Sequence, residues 1–139
     1  MTRVGFYVVQ AAGGDQRLQV AARLADKAFR QGHRIFINAA SESQARRLDE
    51  LLWSFRPASF LPHALQGEEH SERVAIGWGQ DPGDHNDLLI NLQLEIPAFF
   101  SRFQRVAEVV TQDEGSLNAL RESWQFYRDR GYQLEKHDL

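Results

Sequence analysis

A β-branched, aromatic run that gives way at once to a helical repeat, and then does so a second time, most narrows the folds open to this chain. Arg3 to Gln10 (RVGFYVVQ) has the residue types of a strand, and its unbroken apolarity is that of a central strand buried on both faces. AAGGD then turns the chain. From Asp15, a suitable N-cap, Leu18, Ala21, Ala22, Ala25, Ala28 and Phe29 recur at helical spacing, and Gly32 stands where a helix C-cap belongs. Arg34 to Asn38 (RIFIN) predicts a second short strand. SESQARRLDELLW, from Ser41, predicts a second helix with Arg46 and Glu50 four apart on its solvent face. Strand, helix, strand, helix in such short succession implies a βαβ unit, and a parallel return needs a crossover long enough to hold a helix.

The rest of the chain extends the same pattern. Val74 to Trp78 (VAIGW) predicts a third strand, GQDPGDHND a turn-rich connection, and Leu88 to Leu92 (LLINL) a fourth strand as apolar as a buried parallel strand would be. Pro97 suits the first turn of a helix running through Phe100 and Phe103. Arg105 to Val110 (RVAEVV) fits either a prolongation of that helix or a fifth strand, and its valine content favours the strand. Gly115 opens a last helix in which Leu117, Leu120, Trp124 and Tyr127 follow one stripe, and Gly131 ends it. With no repeat, low-complexity tract or linker, the expectation is a single α/β domain over residues 1–139. It would hold a mostly parallel, twisted sheet of about five strands flanked by helices, Rossmann-like in arrangement.

Composition excludes several functions. A chain of 139 residues can bury one core without staples. The absence of cysteine rules out a disulfide scaffold, thiolate zinc sites and a cysteine nucleophile, and fits a reducing compartment. The apolar runs are far too short to span a membrane, and MTRVGFYVV enters a strand pattern without room for a signal peptide, so a cytoplasmic protein is expected. A formal charge of −3 and a pI near 5.9 argue against a general nucleic-acid binder, which makes direct DNA binding the weaker expectation.

The search for chemistry yields mostly absences. Gly13 and Gly14 lie between the first strand and a helix, where a nucleotide-binding loop belongs in an α/β fold, which leaves a nucleotide or small-molecule site at that turn as the alternative reading. The match fails in detail: GxGxxG is missing, as are the lysine and hydroxyl residue of GxxxxGK[ST], and Asp15 would repel phosphate. The histidines at 33, 63, 70, 85 and 137 show no zinc-ligand spacing. His63 beside Pro62 reads either as a structural histidine or as a loop-positioning or partner contact. Asp81, Asp84, His85 and Asp87 stand among Gly79, Pro82, Gly83 and Asn86, a solvated turn more simply than a cation site. No serine lies in GxSxG, and carboxylate pairs such as Glu68 with Glu69 sit in polar stretches without the burial that raises a pKa. No catalytic residue, cofactor or metal is therefore assigned, and no enzyme is expected.

Two surfaces remain. In LDELLWSFRPASFLPH the helical pattern stops after Trp53, and Phe55, Phe60 and Leu61 follow among Arg56, Pro57 and Pro62 with neither helical nor strand period. Large apolar groups on a stiff, irregular segment suit a docking surface. The plainer reading has Trp53, Phe60 and Leu61 folding back to plug one end of the core. In the last helix Arg121 and Arg128 stand two turns apart with Trp124 alongside, a basic and aromatic strip. There the plainer reading packs Trp124 and Tyr127 on the sheet while the arginines, offset by Glu122 and Asp129, solvate the outer face.

LDELLW followed by SFLPH resembles the chi subunit family of the bacterial DNA polymerase III holoenzyme. The likeness extends through GFYVV, HRIFINAASESQARRLDELLW, NDLLINL, FQRVAEVV and WQFYRDRGYQL, most of the chain and in family order. The resemblance implies a strand at RVAEVV and a non-catalytic accessory subunit. It would bridge the clamp loader, through the psi subunit, to the acidic C-terminal tail of single-stranded DNA-binding protein, with DNA contact indirect. Trp53, Phe60, Leu61 and Pro62 match the family's psi-facing segment, and Val110, Arg121, Trp124 and Arg128 match the region that receives the tail. An acidic peptide ending in an apolar side chain and a carboxylate needs guanidinium donors beside a hydrophobic pocket. A repair helicase competing for the Trp53 to Pro62 surface is a further partner left open. The chain departs from the family early in the last helix, where GSLNAL offers Leu117 and Asn118 in place of a lysine frequent among relatives. Arg130 is the nearby cation that could compensate.

Overall fold

The computed structural model describes residues 1–54, 62–65 and 73–139. Among the described residues seven strands form one sheet, β1 (Arg3–Val8), β2 (Ile35–Asn38), β3 (His63–Leu65), β4 (Val74–Gly77), β5 (Leu88–Asn91), β6 (Arg105–Val110) and β7 (Gln133–Asp138). Their order is β3-β4-β2-β5-β6-β1-β7, and every pairing is parallel. The α-helices of the described residues that cover it are α1 (Gly14–Arg30), α2 (Glu42–Ser54) and α3 (Glu114–Asp129). The α/β class and the parallel sheet agree with the sequence, and the strand number exceeds the expected five by β3 and β7. Both extra strands are edges. β3 has only three residues, and β7 (QLEKHD) is exposed along most of its length, so neither has the apolar run that marks a buried strand.

The central strands are continuous apolar runs because both faces are packed. On one face α1 and α2 bring Leu18, Ala21, Ala22, Ala25, Leu48 and Leu52 against Ile35, Ile37, Ile76 and Ile90. On the other, α3 sets Tyr127 among Val4, Phe6, Phe36, Phe103 and Val106. The alanine stripe of α1 allows the helix to approach the sheet closely, and fully burying a side chain the size of Phe6 contributes roughly 1.5–3 kcal/mol.

The helix ends show which local signals held. Gly32, at φ +92°, ends α1 with its amide on Phe29 O at 3.0 Å while the His33 amide reaches Ala28 O at 3.0 Å. Gly131, at φ +81°, repeats the pattern on α3, through Arg128 O at 3.0 Å and, from Tyr132, Tyr127 O at 3.1 Å. These paired bonds satisfy carbonyls that would otherwise be orphaned, and the left-handed residue that makes them possible is a glycine both times. Ser41 caps α2, its hydroxyl accepting from the Gln44 amide at 3.1 Å. Three expectations need correction. Asp15 is not the N-cap of α1, which begins at Gly14; its carboxylate instead takes Arg47 of α2 at 2.6 Å. The last helix begins at Glu114 with Asp113 as its cap, one residue before Gly115. Pro97 starts no α-helix: the segment tightens into a single 3-10 turn, Phe100–Arg102, because Phe99, Phe100 and Phe103 are all drawn into the core. Arg46 does lie on the solvent face of α2, paired with Glu42 at 3.0 Å rather than with Glu50.

Candidate functional site

The strip on α3 is built from its cap upward. Asp113 accepts from the Ser116 amide at 3.1 Å and the Ser116 hydroxyl at 2.7 Å, and the Thr111 hydroxyl also donates to it. These hydroxyl bonds, Thr111 first, hold the Asp113 carboxyl down to about 2. Arg17 of α1 reaches across to Thr111 at 2.6 Å, to Leu92 O at 3.4 Å and to the Ser116 hydroxyl, tying the start of α3 to the sheet. From there the helix presents two faces. Inward, Trp124 is half-buried with its ring 5.2 Å from Phe6, and Val110, the last residue of β6, is buried beside Leu117 and Leu120 in the same cluster. Outward, Arg121 and Arg128 are both exposed. Arg121 donates to Asn118 Oδ1 at 3.0 Å, and neither arginine forms an ion pair among the described residues.

The structure thus brings Val110 and Trp124 into one apolar cluster and leaves Arg121 and Arg128 exposed one turn either side of Trp124 on α3. It also adds residues the sequence did not suggest. A shallow recess is lined by Val110, Leu120, Phe6, Gln93 and Leu94, and Leu94 is 51% exposed on the turn after β5. Nothing in LQLEIP separates an exposed leucine from a buried one. Arg130 lies 3.7 Å over the Phe126 ring.

Beneath this strip Glu108 is buried, its carboxyl accepting from Asn91 Nδ2 at 2.9 Å and the Tyr127 hydroxyl at 2.9 Å. Burial pushes Glu108 up to about 7 against those two bonds, and burial with the neighbouring carboxylate pushes Tyr127 upward. Asn91 also bonds Asn38 at 3.1 Å, and Gln93 reaches Ala39 O at 3.0 Å. In open α/β sheets a ligand commonly lies at the carboxyl ends of the strands. Here the ends of β2, β5 and β6 are bridged by the protein's own amides and carboxyl. At the Gly13–Gly14 turn, Gly13 caps α1 and Gly14 opens it, and Asp15 in the first turn is taken by Arg47.

The apolar docking segment is described in part. Trp53, at the end of α2, is 52% exposed, so it does not plug the core. Its ring lies 4.3 Å from that of His63, whose side chain is fully buried with Nε2 3.1 Å from Asp49 O and 3.2 Å from Asp49 Oδ1. His63 thereby pins β3 to α2 and supports Trp53 from below, with the half-buried Pro62 next to it. Phe60 and Leu61 lie outside the described residues. Of the acidic turn, Asp81 pairs with Arg102 at 2.8 Å, Asp84 with Arg34 at 3.3 Å and Asp87 with the His33 ring at 3.0 Å, each carboxylate turned to its own partner. Among the described residues no three histidine or carboxylate side chains gather as a metal site, and no helix is long and apolar enough to cross a membrane.

The profile of the DNA polymerase III chi subunit, HolC, matches residues 1–135. The chain belongs to the DNA polymerase III chi subunit family. DNA polymerase III subunit chi of Pseudomonas aeruginosa PAO1 is 50% identical over 139 residues, covering 100% of this chain and 98% of the relative. The Haemophilus influenzae Rd protein of the same name is 35% identical over 124 residues, 87% of this chain and 86% of the relative. That of Escherichia coli K12 is 34% identical over 119 residues, 84% and 81%. Membership in this family places the chain in DNA replication.

Proposed function

We propose that the chain is a non-catalytic, cytoplasmic adaptor of the DNA polymerase III holoenzyme, joining the clamp loader, through psi, to the acidic C-terminal tail of single-stranded DNA-binding protein. The observation that carries this reading is the edge of α3: two guanidinium groups without carboxylate partners among the described residues stand beside a half-buried tryptophan on an apolar floor. Such an edge suits a peptide that ends in an apolar side chain and a carboxylate, since guanidinium groups pair carboxylates in a planar, two-point fashion. Val110 and Trp124 would hold the terminal side chain, and Arg121 and Arg128 its carboxylate and the acids before it. Psi would take the Trp53–Pro62 surface, where an exposed indole braced by a buried histidine is a rigid anchor of the kind that dominates interface energetics. Phe60 and Leu61 belong to the same proposal by their family match.

The test is calorimetric titration with a short acidic peptide ending in an apolar residue and a free carboxylate, at two salt concentrations. Salt-sensitive binding that Arg121→Glu weakens by tenfold or more is expected. Equal binding by the wild-type chain and Arg121→Glu would remove α3 as the tail site.

A further inference from the structure

The sheet face opposite α3 holds a second basic and aromatic surface. α1 packs over β2 and β6 on that face, and α2 over β3 and β4, while the β1 and β7 residues there are exposed or half-buried. Parallel register lines up three rows across β6, β1 and β7: Arg105–Arg3–Gln133, Ala107–Gly5–Glu135 and Val109–Tyr7–His137. Tyr7 and His137 stack with centroids 4.6 Å apart and planes 16° apart. The Tyr7 ring leans back over Gly5, where an added Cβ would stand 3.2 Å from Tyr7 Cε2, so this packing needs the missing side chain.

Between this row and α1 lies a cavity of about 190 Å³, walled by Tyr7, Leu24, Lys27, Gln31, Arg105 and Ala107. Lys27 and Arg105 bring cations to its rim, Arg3 lies beside Arg105 in the register, and Arg23 stands one turn before Lys27 on α1. None of these four cations forms an ion pair among the described residues. The carboxylate in the rows, Glu135, is taken by His137 at 3.3 Å. A chain of net charge −3 therefore concentrates unpaired positive charge around one stacking pair, and local potential rather than net charge governs what such a face attracts.

We propose that this face binds single-stranded nucleic acid. One base enters the cavity against the free side of Tyr7, Gln31 offers its amide to the base edge, and Arg3, Arg23, Lys27 and Arg105 follow the phosphates. The cavity is below the roughly 300 Å³ at which pockets take whole cofactors, so it suits one base and not a dinucleotide. Stacking on an open sheet requires an unpaired base, which selects single strands over duplex. The site lies on the opposite face of the sheet from the α3 strip, and the inference does not depend on the adaptor reading. It revises the expectation from net charge, since the basic excess is confined to one face.

The test is fluorescence anisotropy of the full chain with labelled oligothymidylate and oligouridylate of about 20 nucleotides, with the matched duplex, thymidine monophosphate and an acidic peptide as competitors. Oligonucleotide binding is expected with a log Kd against log salt slope of magnitude about 2–3, the value for four cations on a single strand. The paired surface variants Arg3→Glu and Lys27→Glu should weaken it at least tenfold, Tyr7→Ala by about tenfold, and Arg121→Glu by less than twofold. Circular dichroism melts establish that each variant is folded, and Lys27→Glu alone, on an exposed helix position, tests the face should Tyr7→Ala unfold. Equal response to the two oligonucleotides assigns the site to base and phosphate, and a preference assigns it to DNA or RNA. Absence of binding at low salt, loss through Arg121→Glu, equal affinity for duplex or monophosphate, or displacement by the acidic peptide alone would overturn the proposal.

Discussion

Glu108 meets two hydrogen-bond donors between sheet and helix and is pushed up to about 7 from an ordinary 4.5. The folded chain therefore holds this proton more tightly than the unfolded one. The contribution of Glu108 to stability is fully present below about pH 4.5, is lost as pH rises toward about 7, and then levels off. Glu108→Gln should flatten that part of the melting temperature against pH profile and stabilise the chain at pH 8 by about 1–3 kcal/mol. A profile unchanged by the substitution would contradict the assignment. Asp113 has the opposite sign. Held down to about 2 from 3.8, it stabilises above its ordinary range, and that stability is lost as pH falls toward 2. Asp113→Ala should remove this acid limb and, as a lost cap, cost about 1 kcal/mol at neutral pH in denaturant unfolding.

At the scale of elements, α2 and α3 were legible for different reasons. The stripe of α3 and the glycines that end α1 and α3 follow from spacing and from one residue's backbone freedom, both local properties. The edges were not legible. β7 reads QLEKHD because it is an edge strand with no buried residue on either face, so it lacks the unbroken apolarity that revealed β5. β3 is three residues long and is held through His63 to Asp49, a contact between positions 14 apart that no local pattern encodes. Pro97 followed by three phenylalanines looked helical because the same aromatics that suit a helix face can be claimed one by one by the sheet. Exposure was equally hidden: Trp53 and Trp124 stand at helical positions of similar kind, yet Trp53 is 52% exposed while Trp124 is covered on one side by Phe6. That difference gives a prediction for α2. Trp53→Ala should change unfolding free energy by no more than about 1 kcal/mol, as surface positions do, while weakening psi binding tenfold or more in calorimetry. A large loss of stability would assign Trp53 to the core instead.

In the whole molecule the two proposed partner sites stand apart. Trp53 belongs to α2 and Pro62 stands just before the β3 edge strand, while the α3 strip lies over β6 and β1 on the other face, toward the β7 edge. An adaptor needs this separation, because two ligands on one surface would exclude each other. The Trp53–His63 pair and the Arg121 to Arg128 edge share no residue and lie on opposite faces of the sheet, so their effects are expected to add. The adaptor reading therefore predicts one outcome above others. The acidic tail peptide should be titrated into the free chain and into its preformed complex with psi. The account predicts the same dissociation constant within twofold in both, abolished in both by Arg121→Glu, with Trp53→Ala affecting only the psi complex. Release of psi by the peptide, or loss of peptide binding in the complex, would contradict it.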